Sequence, residues 1–289
     1  MPELPEVEAL ARDLDARLRG REVARAELVA IAALKTFDPP LEALVGRTVG
    51  RVTRRGKFLL AETGPEPAVW LVAHLARGGW VRWRDELAPG PAKRGRGPLA
   101  LRLGLVGGAG LEVTEAGTEK RLAVWVVRDP AHVEPLARLG PDPLGPAFDV
   151  GAMAKALAGQ RGNVKGVITD QRVLAGVGNA YSDEALHAAR LSPFKLASRL
   201  TPDEVGRLHA GLVEVLVDAL ARSDGLAPSE LKGEKHAGLS VHGRVGQPCP
   251  ACGDTIREVS FATKSLQYCP SCQTGGKVLA DRRLSRLLK

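Results

Sequence analysis

At 289 residues and 44% apolar content the chain is long enough for about two domains with buried cores. No apolar run approaches the roughly 18 residues of a membrane span, and the charged N-terminus lacks the apolar segment of a secretory signal, so a soluble protein of the cytoplasm is expected. The formal net charge of +8 favours a polyanionic partner, nucleic acid first.

The chain opens MPELPEVE. Pro5 suits the first turn of a helix, where a missing N–H costs nothing, and Val7, Leu10, Leu14 and Leu18 recur at helical spacing. A helix over residues 3–19 with one apolar face is predicted. Helix grammar explains Pro5 but explains Pro2 poorly. Methionine is commonly trimmed before a small residue, and Pro2 would then carry a free secondary amine with a reference pKa of about 8. Such an amine attacks carbon and forms an iminium, as lysines do in Schiff-base chemistry. The residues alone leave both accounts of Pro2 open.

Residues 40–128 alternate and are rich in β-branched side chains, as in GRTVGRVTRRGKFLLAET and AVWLVAHLARGGWVRW, with Gly/Pro turns between them. They predict a β-sandwich or barrel-like sheet with the leading helix packed on it. RLGPDPLGPAFD at 138–149 has the composition of a linker. Helical patterns follow in DVGAMAKALAG, NVKGVITDQ, AYSDEALHAARL and TPDEVGRLHAGLVEVLVDALARS. Between two of them, in RVLAGVGNAYSDE, Gly176 and Gly178 permit positive φ and Asn179 is placed to cap a helix starting at Ala180. A helix N-terminus in that setting is either an ordinary capped end or a phosphate site.

All four cysteines lie in Cys249-Pro-Ala-Cys252, sixteen residues, then Cys269-Pro-Ser-Cys272. Two C-x-x-C knuckles at this separation are a zinc signature, and four thiolates leave no open position, so one structural zinc ion is expected. Two disulfides or free thiols are the alternatives, disfavoured in a cytoplasmic chain. The interval has the length of a β-hairpin, with Ile256, Val259, Phe261 and Leu266 as its apolar content and Arg257 and Lys264 as its cations. The last 49 residues carry eight Lys/Arg against three acids, which again suits a phosphate-rich partner.

MPELPEVE, RRGKFLL at 54–60, HLARGG at 74–79, LGPDPL at 139–144, TDQRVLAGVGNAYSDE at 169–184, and CPACG with YCPSCQ occur in one order along nearly the whole chain. In these stretches the chain resembles the formamidopyrimidine-DNA glycosylase / endonuclease VIII family of base-excision repair. The resemblance implies an α+β fold: an N-terminal β-sandwich with a leading helix, then a helix–two-turn–helix domain with a C-terminal zinc finger, and damaged double-stranded DNA in the cleft between them. It divides the chain into a catalytic domain at 1–138, a linker at 139–149, a DNA-binding helical domain at 150–235, and the zinc finger with a basic tail at 236–289. It implies a monomer that excises damaged bases and nicks the strand. Pro2 then matches the family's nucleophile and Glu3 the acid that protonates the sugar ring oxygen, a role that burial supports by keeping the carboxyl protonated. Glu6 matches a further supporting acid. Lys57 matches a lysine near the lesion; Arg55, His74, Lys165 and Asn179 match phosphate contacts.

Several positions depart from the family pattern, and all concern how damage is read. Where glycosylases for oxidised purines place Met, Arg and Phe to fill the gap left by a flipped nucleotide, this chain has Arg77, Lys120 and Leu122. The zinc-finger arginine of the family aligns with Lys264, which keeps the charge and loses the bidentate fork. Residues 231–241 replace a longer loop that covers flipped 8-oxoguanine in its specific enzymes. Arg77 remains able to fill the void, its guanidinium stacking in place of the base. A zinc-hairpin protein that binds lesions without catalysis is the competing account, and the Pro2–Glu3 pair argues against it.

Overall fold

The computed structural model describes residues 1–92, 97–261 and 265–280. By internal contacts the chain forms two units, one of Met1–Arg138 with Ser223–Leu231, the other of Leu139–Arg222 with Lys232–Lys289. Among the described residues no helix is long and apolar enough to cross a membrane.

The first unit begins with helix α1 (Leu4–Leu18), whose residues Leu4, Val7, Leu10, Ala11, Leu14 and Leu18 are buried, as the spacing requires. Two four-stranded antiparallel sheets follow. One has the order β1 (Val23–Leu28), β6 (Leu99–Leu105), β7 (Gly110–Glu115), β5 (Gly79–Arg84); the other has β2 (Thr48–Arg55), β3 (Phe58–Gly64), β4 (Val69–His74), β8 (Ala123–Val127). Alternate residues of both sheets enter one core with α1: Val49, Val52, Leu59, Ala73, Val124 and Val126 from one, and Val81, Leu101, Leu103, Leu111 and Val113 from the other. The run AVWLVAHLARGGWVRW is two strands in different sheets, because the chain turns at residues 75–78. Gly79 N donates to Leu75 O at 2.8 Å, and Ala76 takes a φ of 50°. A Cβ on Gly78 would stand 2.1 Å from Ala116 O, so only glycine fits there. After the short helix α2 (Glu134–Ala137) the chain leaves this unit.

The second unit holds α3 (Val150–Leu157), α4 (Val164–Ile168), α5 (Asn179–Ala188), α6 (Pro202–Ser223), α7 (Leu231–Gly238), the hairpin β9 (Arg257–Ser260) and β10 (Ser265–Tyr268), and α8 (Pro270–Thr274). Ser223 and Leu231, at the ends of α6 and α7, belong by their contacts to the first unit. Asp149 and Asn163 cap α3 and α4 through side-chain acceptors to Ala152 N and Gly166 N, at 2.7 Å each. The Pro/Gly-rich stretch is tied down rather than loose: Gly140 N donates to Gln171 O and Ala175 N to Pro141 O. A Cβ at Gly140 would meet Val173 O at 2.5 Å. Of the hairpin's apolar content, Ile256, Val259 and Leu266 are buried, whereas Phe261 is 41% exposed and meets Phe194 edge-on at 6.3 Å.

Candidate active site and metal centre

The N-terminus of α1 is built by its two acids. Glu3 is the N-cap residue; its side chain accepts from Glu6 N, while Glu6 Oε2 accepts from Glu3 N at 2.7 Å. Glu3 is 3% exposed and Glu6 2%. Pro2 is buried beside them, beneath a half-exposed Met1. With Met1 attached, the Pro2 nitrogen is an amide and has no basic lone pair; removal of Met1 makes it a secondary amine next to two buried carboxyl groups.

Lys57 follows Gly56 in the tight turn between β2 and β3, where Gly56 has a φ of 54° and Arg55 pairs with Phe58. Lys57 is buried and Arg55 exposed. Phe58 lies directly opposite His74, their rings 4.8 Å apart, and Trp125 packs on the other strand at 5.9 Å from Phe58. Burial, followed by the nearby Lys57 charge, pushes the His74 pKa down to about 4. His74 is therefore a neutral imidazole at pH 7 and offers a ring N–H rather than a charge.

Arg77 stands exposed at the tip of the turn after β4. That turn is bonded to the next loop by Ala116 N donating to Gly78 O at 3.0 Å. The 116–122 loop is itself organised by Glu115, a 4%-exposed carboxylate whose Oε1 accepts from Arg121 N and Leu122 N at 2.6 and 2.8 Å. Lys120 Nζ donates to Glu115 O. Arg77 and Lys120 thus lie on two mutually bonded loops. Leu122, at the position of the family's phenylalanine, is 2% exposed and packs in the sandwich core. Glu115 is not legible in the sequence as an organiser, since its partners are backbone N–H groups that no side-chain pattern announces.

In the second unit the motif around Asn179 differs from expectation. Gly176 has a φ of 95°, but Gly178 is extended and serves as N-cap, and α5 begins at Asn179 itself. Asn179 does not cap the helix; its Nδ2 donates to Ser265 O at 2.9 Å and ties α5 to the hairpin. Lys165, on α4, is turned toward α5. It is 8% exposed, and its ammonium donates to Asp183 Oδ1, Ser182 Oγ and Asn179 O at 2.5, 2.9 and 3.0 Å. Three internal acceptors match the three protons of an ammonium. Asp183 in turn takes His242 Nδ1 on its other oxygen at 2.8 Å. Beside it, the Glu184 carboxylate accepts from Ser240, Val241 and His242 N at 2.8–2.9 Å. Lys264 lies outside the described residues.

The four cysteine sulfurs lie within 4.8 Å of one another, with Cys249–Cys272 at 3.9 Å and Cys252–Cys269 at 3.3 Å. A tetrahedral zinc with Zn–S bonds of about 2.3 Å needs sulfurs about 3.8 Å apart, so the set fits that ion. Burial pushes Cys269 up to about 11, and burial with the neighbouring thiols pushes Cys272 up further. The two knuckles are shaped by a backbone bond from Gly253 N to Cys249 O and by Cys269 N donating to the Gln273 side-chain Oε1.

Family models match three stretches: the formamidopyrimidine-DNA glycosylase N-terminal domain at residues 1–116, the formamidopyrimidine-DNA glycosylase H2TH domain at 139–229, and the zinc finger found in FPG and IleRS at 246–275. The formamidopyrimidine-DNA glycosylase of Symbiobacterium thermophilum is 36% identical over 98% of this chain and 93% of its own. The chain belongs to the formamidopyrimidine-DNA glycosylase family. An uncharacterized formamidopyrimidine-DNA glycosylase-like protein of Mycobacterium tuberculosis is 60% identical over 151 residues, which cover 52% of this chain and 94% of that protein. Among solved structures, the MutM (FPG) protein of Thermus thermophilus matches with a TM-score of 0.80 at 34% identity, covering 96% of this chain and all of that one. The Lactococcus lactis family member bound to DNA containing N7-benzyl-Fapy-dG matches with a TM-score of 0.82 at 26% identity, covering 94% and 100%. The family's architecture of β-sandwich, helix–two-turn–helix and zinc finger accounts for both units.

Proposed function

We propose that the chain is a bifunctional DNA glycosylase/AP lyase of base-excision repair, acting as a monomer on damaged duplex DNA in the cytoplasm. The observation that carries this reading is the N-terminus itself: Pro2 buried beside Glu3 and Glu6, behind a removable Met1, in a chain of this family. The trimmed Pro2 amine attacks C1′ of the damaged nucleotide, the C1′–N bond to the base breaks, and the base departs with its electron pair and a proton; Glu3 then delivers a proton to the sugar ring oxygen as the C1′–O4′ bond breaks, which leaves the iminium. A secondary amine gives an iminium that is positively charged at every pH. That charge acidifies the C2′ proton and drives elimination of the 3′ phosphate, then of the 5′ phosphate.

Lys57, Arg55, His74, Arg77 and Lys120 are assigned to the DNA around the lesion, with Arg77 filling the gap left by the flipped nucleotide. Asn179 and the start of α5 are assigned to a phosphate. Lys165 is assigned to the protein interior. One zinc ion, held by Cys249, Cys252, Cys269 and Cys272, fixes the hairpin that carries Lys264.

The test compares Met1-free protein with protein that retains Met1, on duplexes carrying a panel of oxidised and ring-opened bases. The Met1-free form is expected to excise at least one lesion and cleave the strand, and the Met1-bearing form to bind without cleaving. Equal cleavage by both forms would overturn the assignment of Pro2.

A further inference from the structure

The last turn of α5 brings a fifth side chain to the cysteine cluster. His187 Nε2 lies 3.2 Å from Cys249 Sγ, a hydrogen-bonding distance for nitrogen and sulfur. Cys249 is 3% exposed, packed with Val241, Ile256 and Cys269, so its sulfur is largely shielded from water. A buried thiolate that has lost its water needs another donor, and the imidazole is aimed at it. Helix α5 is also the element to which the whole zinc module is fastened. Asn179 at its start bonds Ser265 of β10, Glu184 in its middle accepts from residues 240–242, and Leu191 O just beyond its end accepts from Gln273 Nε2 of α8. Asn179 and His187 stand eight residues apart, about 12 Å along the axis.

We infer that His187 is a positioning residue of the metal centre, its Nε2–H donating to the Cys249 thiolate and holding the first knuckle against α5. The inference rests on the reading that the four cysteines hold zinc. It adds a group outside the ligand set, of the kind that orients a metal ligand and tunes its donor strength. Four thiolates on one dication leave an excess of two negative charges, and a single N–H donor to a shielded sulfur stabilises that excess directly. Through His187 the metal centre and the helix bearing Asn179 are joined at the sulfur, rather than only through packing.

The experiment uses the full chain as wild type, His187→Phe and His187→Gln. Phenylalanine keeps the ring volume and removes the donor; glutamine places an N–H near the position of Nε2. Zinc content is measured first, then zinc release to excess EDTA, then the sulfur-to-metal charge-transfer band after replacement by Co2+. Wild type is expected to hold one zinc per chain. His187→Phe should release zinc about 10- to 100-fold faster and shift the cobalt band, with thermal unfolding of the metal-loaded form confirming that it folds. His187→Gln should lie close to wild type in both readouts. Release and band unchanged in His187→Phe would overturn the inference, and so would equal losses in the two variants, which would make the ring's packing the cause. A wild-type chain without zinc would instead overturn the metal reading.

Discussion

His74 shows how one side chain's surroundings set its chemistry. The ring packs at a tilt against Phe58 and sits near the Lys57 ammonium, and both burial and that charge oppose its protonation. Its folded pKa of about 4 lies below the ordinary 6.5, so the unfolded chain takes up a proton that the folded chain refuses. The stability this contributes is fully present above pH 6.5 and is lost as pH falls toward 4. Allowing for partial exposure of the ring, unfolding free energy should drop by about 1–2 kcal/mol between pH 7.5 and pH 5 on this account. His74→Gln removes the titration, so denaturant unfolding of the variant should show a correspondingly shallower dependence over that range. Parallel pH profiles for variant and wild type would contradict the assignment. The motif HLARGG points to this histidine, but its neutral state is not legible there, because Lys57 arrives from a different strand turn.

Among the elements, helices and strands are legible wherever a local period governs them. The apolar stripe of α1 and the knuckle spacing of the cysteines each state a local rule that the structure follows. What escapes is decided by partners far along the chain. Asn179 has the sequence setting of a helix cap and is instead held by Ser265, 86 residues away; Leu122 stands at the position of a family phenylalanine and packs in the sandwich core. Lys165 is the sharpest case, since a lysine before a phosphate-binding motif reads as a phosphate contact. It joins α4 to α5 by an ion pair with Asp183, whose side chain is fully shielded from solvent. Lys165→Met should therefore take the lysine partner from the buried Asp183 carboxylate, leaving it His242 Nδ1 on its other oxygen, and cost about 3–5 kcal/mol of stability in urea unfolding. A phosphate contact would behave otherwise, with stability unchanged and the salt dependence of DNA binding reduced by about one ion.

At the scale of the whole molecule, the division into units does not follow the chain simply. The segment Ser223–Leu231 lies in sequence between α6 and the body of α7, yet it belongs to the first unit. Leu226 and Leu231 join the sandwich core there, and Trp80 Nε1 donates to Pro228 O at 3.0 Å. No periodicity marks those nine residues, because their partners are supplied by strands more than a hundred positions earlier. The proposed reaction depends on one atom, the Pro2 nitrogen. The most direct measurement is reduction with borohydride during incubation of Met1-free protein with duplex DNA containing an abasic site, followed by peptide mapping of the adduct. A covalent protein–DNA species attached at Pro2 is expected, and none from protein that keeps Met1. Attachment at Lys57, or strand cleavage by Met1-free protein with no trapped species, would contradict the proposed mechanism.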